Sequence, residues 1–167
     1  ALAQTWDLGT APTLAFKTLV GQSPDTFTDG QIANVEATHT GVYVDLRGVP
    51  VTWEGRAPDG TFLDYHIMVD WLRARMNEAI LNLFVQNPRV PYTTDGIELV
   101  KNAVFSVIDT LRRRGGVSPD FPIVVEAPAP SDVSAEDRAE RVLPDVTFDF
   151  VFVGAIHKVR VQGTISL

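Results

Sequence analysis

The residues best equipped for acid–base chemistry are Glu54, Asp64 and His66, gathered in sequence around a turn. Two carboxylates and an imidazole can hold and pass a proton near neutral pH, provided all three meet in one cleft. Asp64 has a plainer use: it falls where a helix N-cap or first-turn acid belongs, offsetting the positive end of the helix dipole. The other two histidines, His39 and His157, sit in unrelated contexts. No pair of the three has the helical spacing of metal ligands, so surface or hydrogen-bonded polar histidines are the expectation. The absence of cysteine excludes thiol catalysis, disulfides and the common zinc sites. No phosphate loop, G-x-S-x-G elbow or H-E-x-x-H occurs, and Asp25, Asp29 and Asp59 lack the spacing of a calcium loop. The reading is therefore a protein without catalysis, cofactor or metal. A small-molecule enzyme or binding domain on the Glu54, Asp64 and His66 corner is the alternative.

The charge pattern narrows the partners. A formal charge of -7 argues against general nucleic-acid binding, and no apolar run reaches the roughly 18 residues a membrane span needs. Arg112-Arg113-Arg114 is the densest positive run. At the end of a helix it complements the macrodipole; its other reading is docking to an acidic surface. Asp132, Glu136, Asp137, Glu140 and Asp145 form the opposite patch, a solvated face that could pair with the arginines between copies.

These groups need elements to position them. Leu14 to Val20 reads as a strand, followed by a turn at Gly21 to Pro24. Thr28 with Gln31 is a capping box that opens a short helix through Ala37. Gly41 to Asp45 and Val49 to Glu54 read as strands joined at Leu46-Arg47-Gly48. From about Asp64 to Phe84, apolar residues recur every three to four positions, the stripe of an amphipathic helix that Asn87-Pro88 stops. A second helix runs from Thr94 or Asp95 to Arg114 and ends at Gly115-Gly116. Pro122 to Ala127 is a strand, and Ser134 with Asp137 opens a short polar helix ending near Val142. At 167 residues the chain can bury a core of its own.

The closing stretch carries the strongest period-2 signal. Val146, Phe148, Phe150 and Phe152 alternate with Thr147, Asp149, Val151 and Val153; after Gly154 the pattern resumes through Ile156, Val159, Val161 and Ile165. This predicts a C-terminal β-hairpin whose last strand, with open backbone groups, can pair with a neighbouring subunit. The fold class is α+β, a mixed or antiparallel sheet packed by two long helices. Residues 1–158 form the compact domain and 159–167 the arm. With Ala1-Leu2-Ala3 at the start and no methionine before Met68, the expectation is the C-terminal part of a longer polypeptide.

A resemblance covers nearly all of the chain. It begins at Phe16-Lys17-Thr18-Leu19-Val20-Gly21 with Ser23-Pro24-Asp25, and continues through Thr28 and Gln31, Gly41-Val42-Tyr43 and Thr52-Trp53-Glu54-Gly55. Gly60-Thr61-Phe62-Leu63-Asp64, Asp70-Trp71-Leu72-Arg73-Ala74-Arg75, Asn87-Pro88, Pro91-Tyr92-Thr93 and Gly96-Ile97 follow. Gly154-Ala155-Ile156-His157 with Gly163-Thr164 closes it. In this order and spacing the chain resembles the C-terminal region of contractile phage tail sheath proteins. Gly55 to Gly60 departs, being poorer in small residues than that family's loop.

The resemblance implies a structural subunit of the virion that assembles helically around a tail tube in the host cytoplasm. Contraction then drives the tube through the host envelope. It implies partners in other copies of itself, the tube, and baseplate and terminator proteins at the ends, without nucleic acid or membrane contact. Arms of neighbouring subunits pair as strands in that family. Here the arm would be Val159, Arg160, Val161, Gln162, Gly163, Thr164, Ile165, Ser166 and Leu167, and its partner an N-terminal arm upstream. Arg73, Arg75, Arg112, Arg113 and Arg114 are the candidate tube-facing or inter-subunit charges. A tube or baseplate subunit fits less well, because two long helices are foreign to β-rich tube proteins.

Overall fold

Caps and turn residues set where the elements start and stop, in a computed structural model that describes residues 13–163. The described residues fall into two units, 13–66 with 154–163, and 67–153.

In the first unit, α1 (Asp29–Ala37) begins with the expected capping box: Thr28 and Gln31 each satisfy the other's backbone N–H. β1 (Val42–Leu46) and β2 (Val49–Trp53) pair antiparallel, with Val44 opposite Val51 and both buried. The corner is the two-residue loop Arg47-Gly48. Both residues have positive φ, as the tightest hairpins require, and Asp45 Oδ1 accepts the Gly48 N–H at 2.6 Å. Leu14 to Val20 does not form the expected strand. Phe16 donates to the Thr52 carbonyl at 2.7 Å and Thr52 to the Lys17 carbonyl at 2.9 Å, so the segment does lie along β2. Phe16 itself takes a φ of 59°, which breaks the extended run.

The second unit is built on two helices. α2 (Leu63–Gln86) begins within the first unit and continues into this one, and α3 (Thr94–Arg113) starts at the Thr93 cap, whose hydroxyl accepts the Gly96 N–H. Met68, Trp71 and Leu72 of α2 and Val104, Val107, Ile108 and Leu111 of α3 form one buried cluster with Val117. Ile108 and Leu111 are sealed, at 0% and 1% exposure. β3 (Val124–Glu126), α4 (Ala135–Glu140, capped by Ser134) and β4 (Thr147–Asp149) follow, with β3 and β4 antiparallel and Val125 opposite Phe148.

The fold class is α+β, but two details differ from expectation. The strands divide into two separate two-stranded ladders, not one sheet. The closing hairpin at Gly154 is absent among the described residues. β4 pairs back to β3, and Ser118 donates to the Val151 carbonyl at 2.8 Å while Val153 donates to the Gly116 carbonyl at 3.0 Å. Backbone groups of 147–153 are thus taken up by earlier partners in their own unit, and residues 154–163 carry no strand.

Candidate functional site: the root of the C-terminal segment

The Glu54, Asp64 and His66 corner does not assemble as an acid–base set. Glu54, at a φ of 73°, is paired with Arg56 at 3.1 Å, and Arg56 also donates to the Gly60 carbonyl at 2.7 Å. Asp64 is buried in the first turn of α2, where its carboxylate accepts the Tyr65 N–H at 2.8 Å. His66 turns to Thr61 Oγ1 and, at 3.6 Å, to the Asp59 carboxylate. Each group is held by a different partner.

Asp59 has its carboxyl held below the ordinary carboxylate value, first by the Thr61 hydroxyl, then by the Thr61 N–H, with His66 a lesser contributor. A group whose folded-state pKa is lowered contributes stability above its unfolded value, and that share disappears as pH falls through the folded value. Asp59→Asn is therefore expected to flatten the loss of stability on going from about pH 4 to about pH 2, read as the urea midpoint at each pH. An unchanged acid limb would mean the Thr61 bonds do not persist in solution.

The arginine candidates are largely matched by nearby acids on their own helices. Arg73 meets Asp70 at 3.3 Å, Arg75 meets Glu78 at 2.7 Å, and Arg112 and Arg113 both reach Asp109. Arg112 and Arg113 fill the last turn of α3, in keeping with the dipole reading, and Arg114 lies 6.0 Å over the Trp71 ring. Arg75 and Arg114 line one groove between α2 and α3 with Ser106 and Thr110; Arg73, Arg112 and Arg113 are not part of its lining.

The residues expected to form the arm are exposed as far as they are described. From Val153 to Gly163 every residue is exposed except His157, with Val159 at 76% and Val161 at 89%. Thr164, Ile165, Ser166 and Leu167 lie outside the described residues. His157 is a hydrogen-bonded polar histidine, as expected, with Nε2 2.7 Å from Thr13 Oγ1; beyond that expectation, its ring meets Phe62 edge-to-face at 4.7 Å and Phe16 at 5.7 Å. The surroundings brace these partners. Arg56 lies 4.0 Å over the Phe62 ring, Phe16 packs on Trp53, and Trp53 Nε1 donates to Glu36 at 3.2 Å. Lys158 approaches the same Glu36 carboxylate at 3.8 Å. No spacing rule would have found this socket. The available signal was one histidine inside a run whose other residues alternate as a strand.

Among the described residues, no cluster of three or more His, Cys, Asp or Glu could hold a metal ion, and no helix is long and apolar enough to cross a membrane.

Residues 63–120 match the family of E217 tail sheath protein gp31-like proteins, in its C-terminal domain. The chain resembles a contractile tail sheath protein. This match takes in the whole helix pair, from the start of α2 through α3 to Asp120, about a third of the chain. No curated protein matches it. Among solved structures, a chain of the anti-feeding prophage (AFP) baseplate, a 6-fold symmetrised cryo-EM structure, shares the fold with a TM-score of 0.77 at 13% identity over 95% of this chain. A chain of the PVC sheath complex of an extracellular contractile injection system, in the contracted state, does so with a TM-score of 0.71 at 13% identity over 94%. The sheath-like chain spans 46% of the length of each.

Proposed function

We propose that this chain is part of a structural subunit of a contractile tail sheath, assembling helically around a tail tube and working mechanically, without catalysis. The match of residues 63–120 to a tail sheath C-terminal domain carries the reading. The exposed segment after Lys158 supports it, because an alternating sequence without a ladder partner among the described residues suits strand addition to a neighbour. Residues 159–167 are the linking arm, and other copies of the protein are its partners. The tail tube lies inside the assembly, with baseplate and terminator proteins at its ends, and nucleic acid and membrane play no part. The particle is the virion tail or a related injection machine.

Contraction in this reading is a shift between two packings of identical subunits. A modest free-energy difference per subunit is multiplied over many copies, while strand pairing keeps the mesh linked. Contact with the tube must be weak, since the sheath has to release it. The local acids beside Arg73, Arg75, Arg112 and Arg113 suit that, because they temper the positive face.

Negative-stain microscopy of the full-length parent protein, beside a version lacking Val161 to Leu167, tests the proposal. Tubes or striated filaments that vanish on truncation are the expected result. Stable monomers in both samples, across salt and concentration, would return the Glu54 corner to consideration as a ligand site.

A further inference from the structure

Resting on the arm reading above, we infer that His157 is the anchor through which the C-terminal arm is tied to its own subunit. A strand that links subunits transmits pull to the fold at the last residue that is actually docked. Between Val153 and Gly163 that residue is His157, the one position whose side chain is not exposed. Lys158 adds an exposed ion pair to Glu36, and among the described residues the chain beyond it makes no hydrogen bond or ring contact.

The socket is built to hold an imidazole. Two aromatic edges at right angles, each with an interplanar angle of 89°, grip the ring from Phe16 and Phe62. The Thr13 hydroxyl satisfies Nε2, so the ring is docked at no cost in an unpaired polar atom. The walls are held in turn: Phe62 under the Arg56 guanidinium, Phe16 against Trp53.

Backbone strain marks the same place. Phe16 and Glu54 both adopt positive φ, at 59° and 73°, and Gly55 follows at 66° with the Ala15 backbone nitrogen 3.0 Å from where a Cβ would stand. Left-handed geometry at a bulky aromatic persists only where the surroundings over-determine it, and such outliers gather at clamps. Here the strain brings Phe16 round to face His157. Gly154, where sequence pattern put the corner, has open space around it and holds nothing. The arm therefore swings from His157 and its reach counts from Val159.

Trypsin reads the anchor directly in the full chain, because cleavage after Lys158 requires His157 to leave its socket. In the wild-type chain this bond is expected to be cut slowly. His157→Ala should raise its cleavage rate about tenfold or more, since proteolysis tracks the population of the open form. Phe62→Ala, which leaves the arm sequence untouched, should do the same. Thr13→Val, removing one hydroxyl and little volume, should give a smaller rise, and it serves if either larger change unfolds the unit. Wild-type rates after Lys158 in all three variants would overturn the anchor.

Assembly separates this inference from the one beneath it. If truncation at Val161 abolishes tubes while His157→Ala and Phe62→Ala still form them normally, the sheath reading stands and the anchor is overturned. Tubes weakened or lost in both point variants, with the second unit still folded, support it. If the truncated chain assembles, the linking role falls and the trypsin rates alone decide whether the socket holds the root.

Discussion

Gly96→Ala is expected to destabilise the protein by about 3 kcal/mol or more. Helix propensity argues the other way: Gly96 is the third residue of α3, where alanine would be favoured by up to about 1 kcal/mol. Sterics win. A Cβ at Gly96 would run into the Pro91 carbonyl oxygen, with the Pro91 carbonyl carbon at 2.9 Å and its ring Cδ at 3.2 Å. The obstacle is backbone, and proline's fixed φ leaves it little room to turn aside. The first turn of α3 would have to lift off its cap, where Ile97 donates to the Thr93 carbonyl at 2.9 Å and Gly96 to the Thr93 hydroxyl at 3.4 Å. Urea denaturation should show the loss as a lower midpoint with an unchanged slope. Gly30 is the matched control. It lies in α1 with nothing within 4 Å, so Gly30→Ala is expected to be neutral or to stabilise by up to about 1 kcal/mol. Equal effects at the two sites would show that the approach of Pro91 is looser in solution.

The same pair of glycines shows what a sequence can and cannot disclose. Local chemistry was legible: the Thr28 and Gln31 box, the Asn87-Pro88 stop, the start of α3 at Thr94, and the Gly115 ending with its φ of 82° are each decided within a few residues. The Arg47-Gly48 turn belongs with them, as do the apolar stripes of α2 and α3 that become the core. Pairing over distance was not legible. Alternation along Val146 to Val153 says which side chains share a face, but it does not name the strand that will lie alongside. Here Val124–Glu126 and the Gly116 to Ser118 segment claim it, and the expected hairpin partner is left over. The socket was hidden for the same reason. Thr13, Phe16, Phe62 and His157 are scattered along the chain, and only folding makes them neighbours. The Glu54 corner was legible in part: Asp64 takes the first-turn place its position predicts, but the partners of Glu54 and His66 did not show in the sequence. Arg56, Thr61 and Asp59 were better placed to satisfy Glu54 and His66 than those two were to satisfy each other.

Ile108→Ala bears on the mechanical reading through the rigidity of the second unit. Ile108 is sealed at the centre of the cluster that joins α2 to α3, in the company of Trp71, Leu72, Val104 and Leu111. Removing its branched chain is expected to cost about 2–5 kcal/mol, lost burial plus the cavity left behind, while Ile108→Val costs about 1 kcal/mol. Phe105, on the solvent side of α3 at 38% exposure, loses less on truncation to alanine despite its greater size. The size of the Ile108 effect reports whether the helix pair can close over a hole. A loss near the upper end means the cluster is rigid, so that α2 and α3, with Arg73, Arg75 and Arg112 to Arg114 on them, move as one body. A subunit that rotates against its neighbours needs that, because a shift at one interface reaches the next only through parts that do not deform. A loss under about 1 kcal/mol would describe a core that yields. In such a core, work done at one contact would be absorbed within the subunit before reaching the next, and rigid-body contraction would be the wrong picture for this fold.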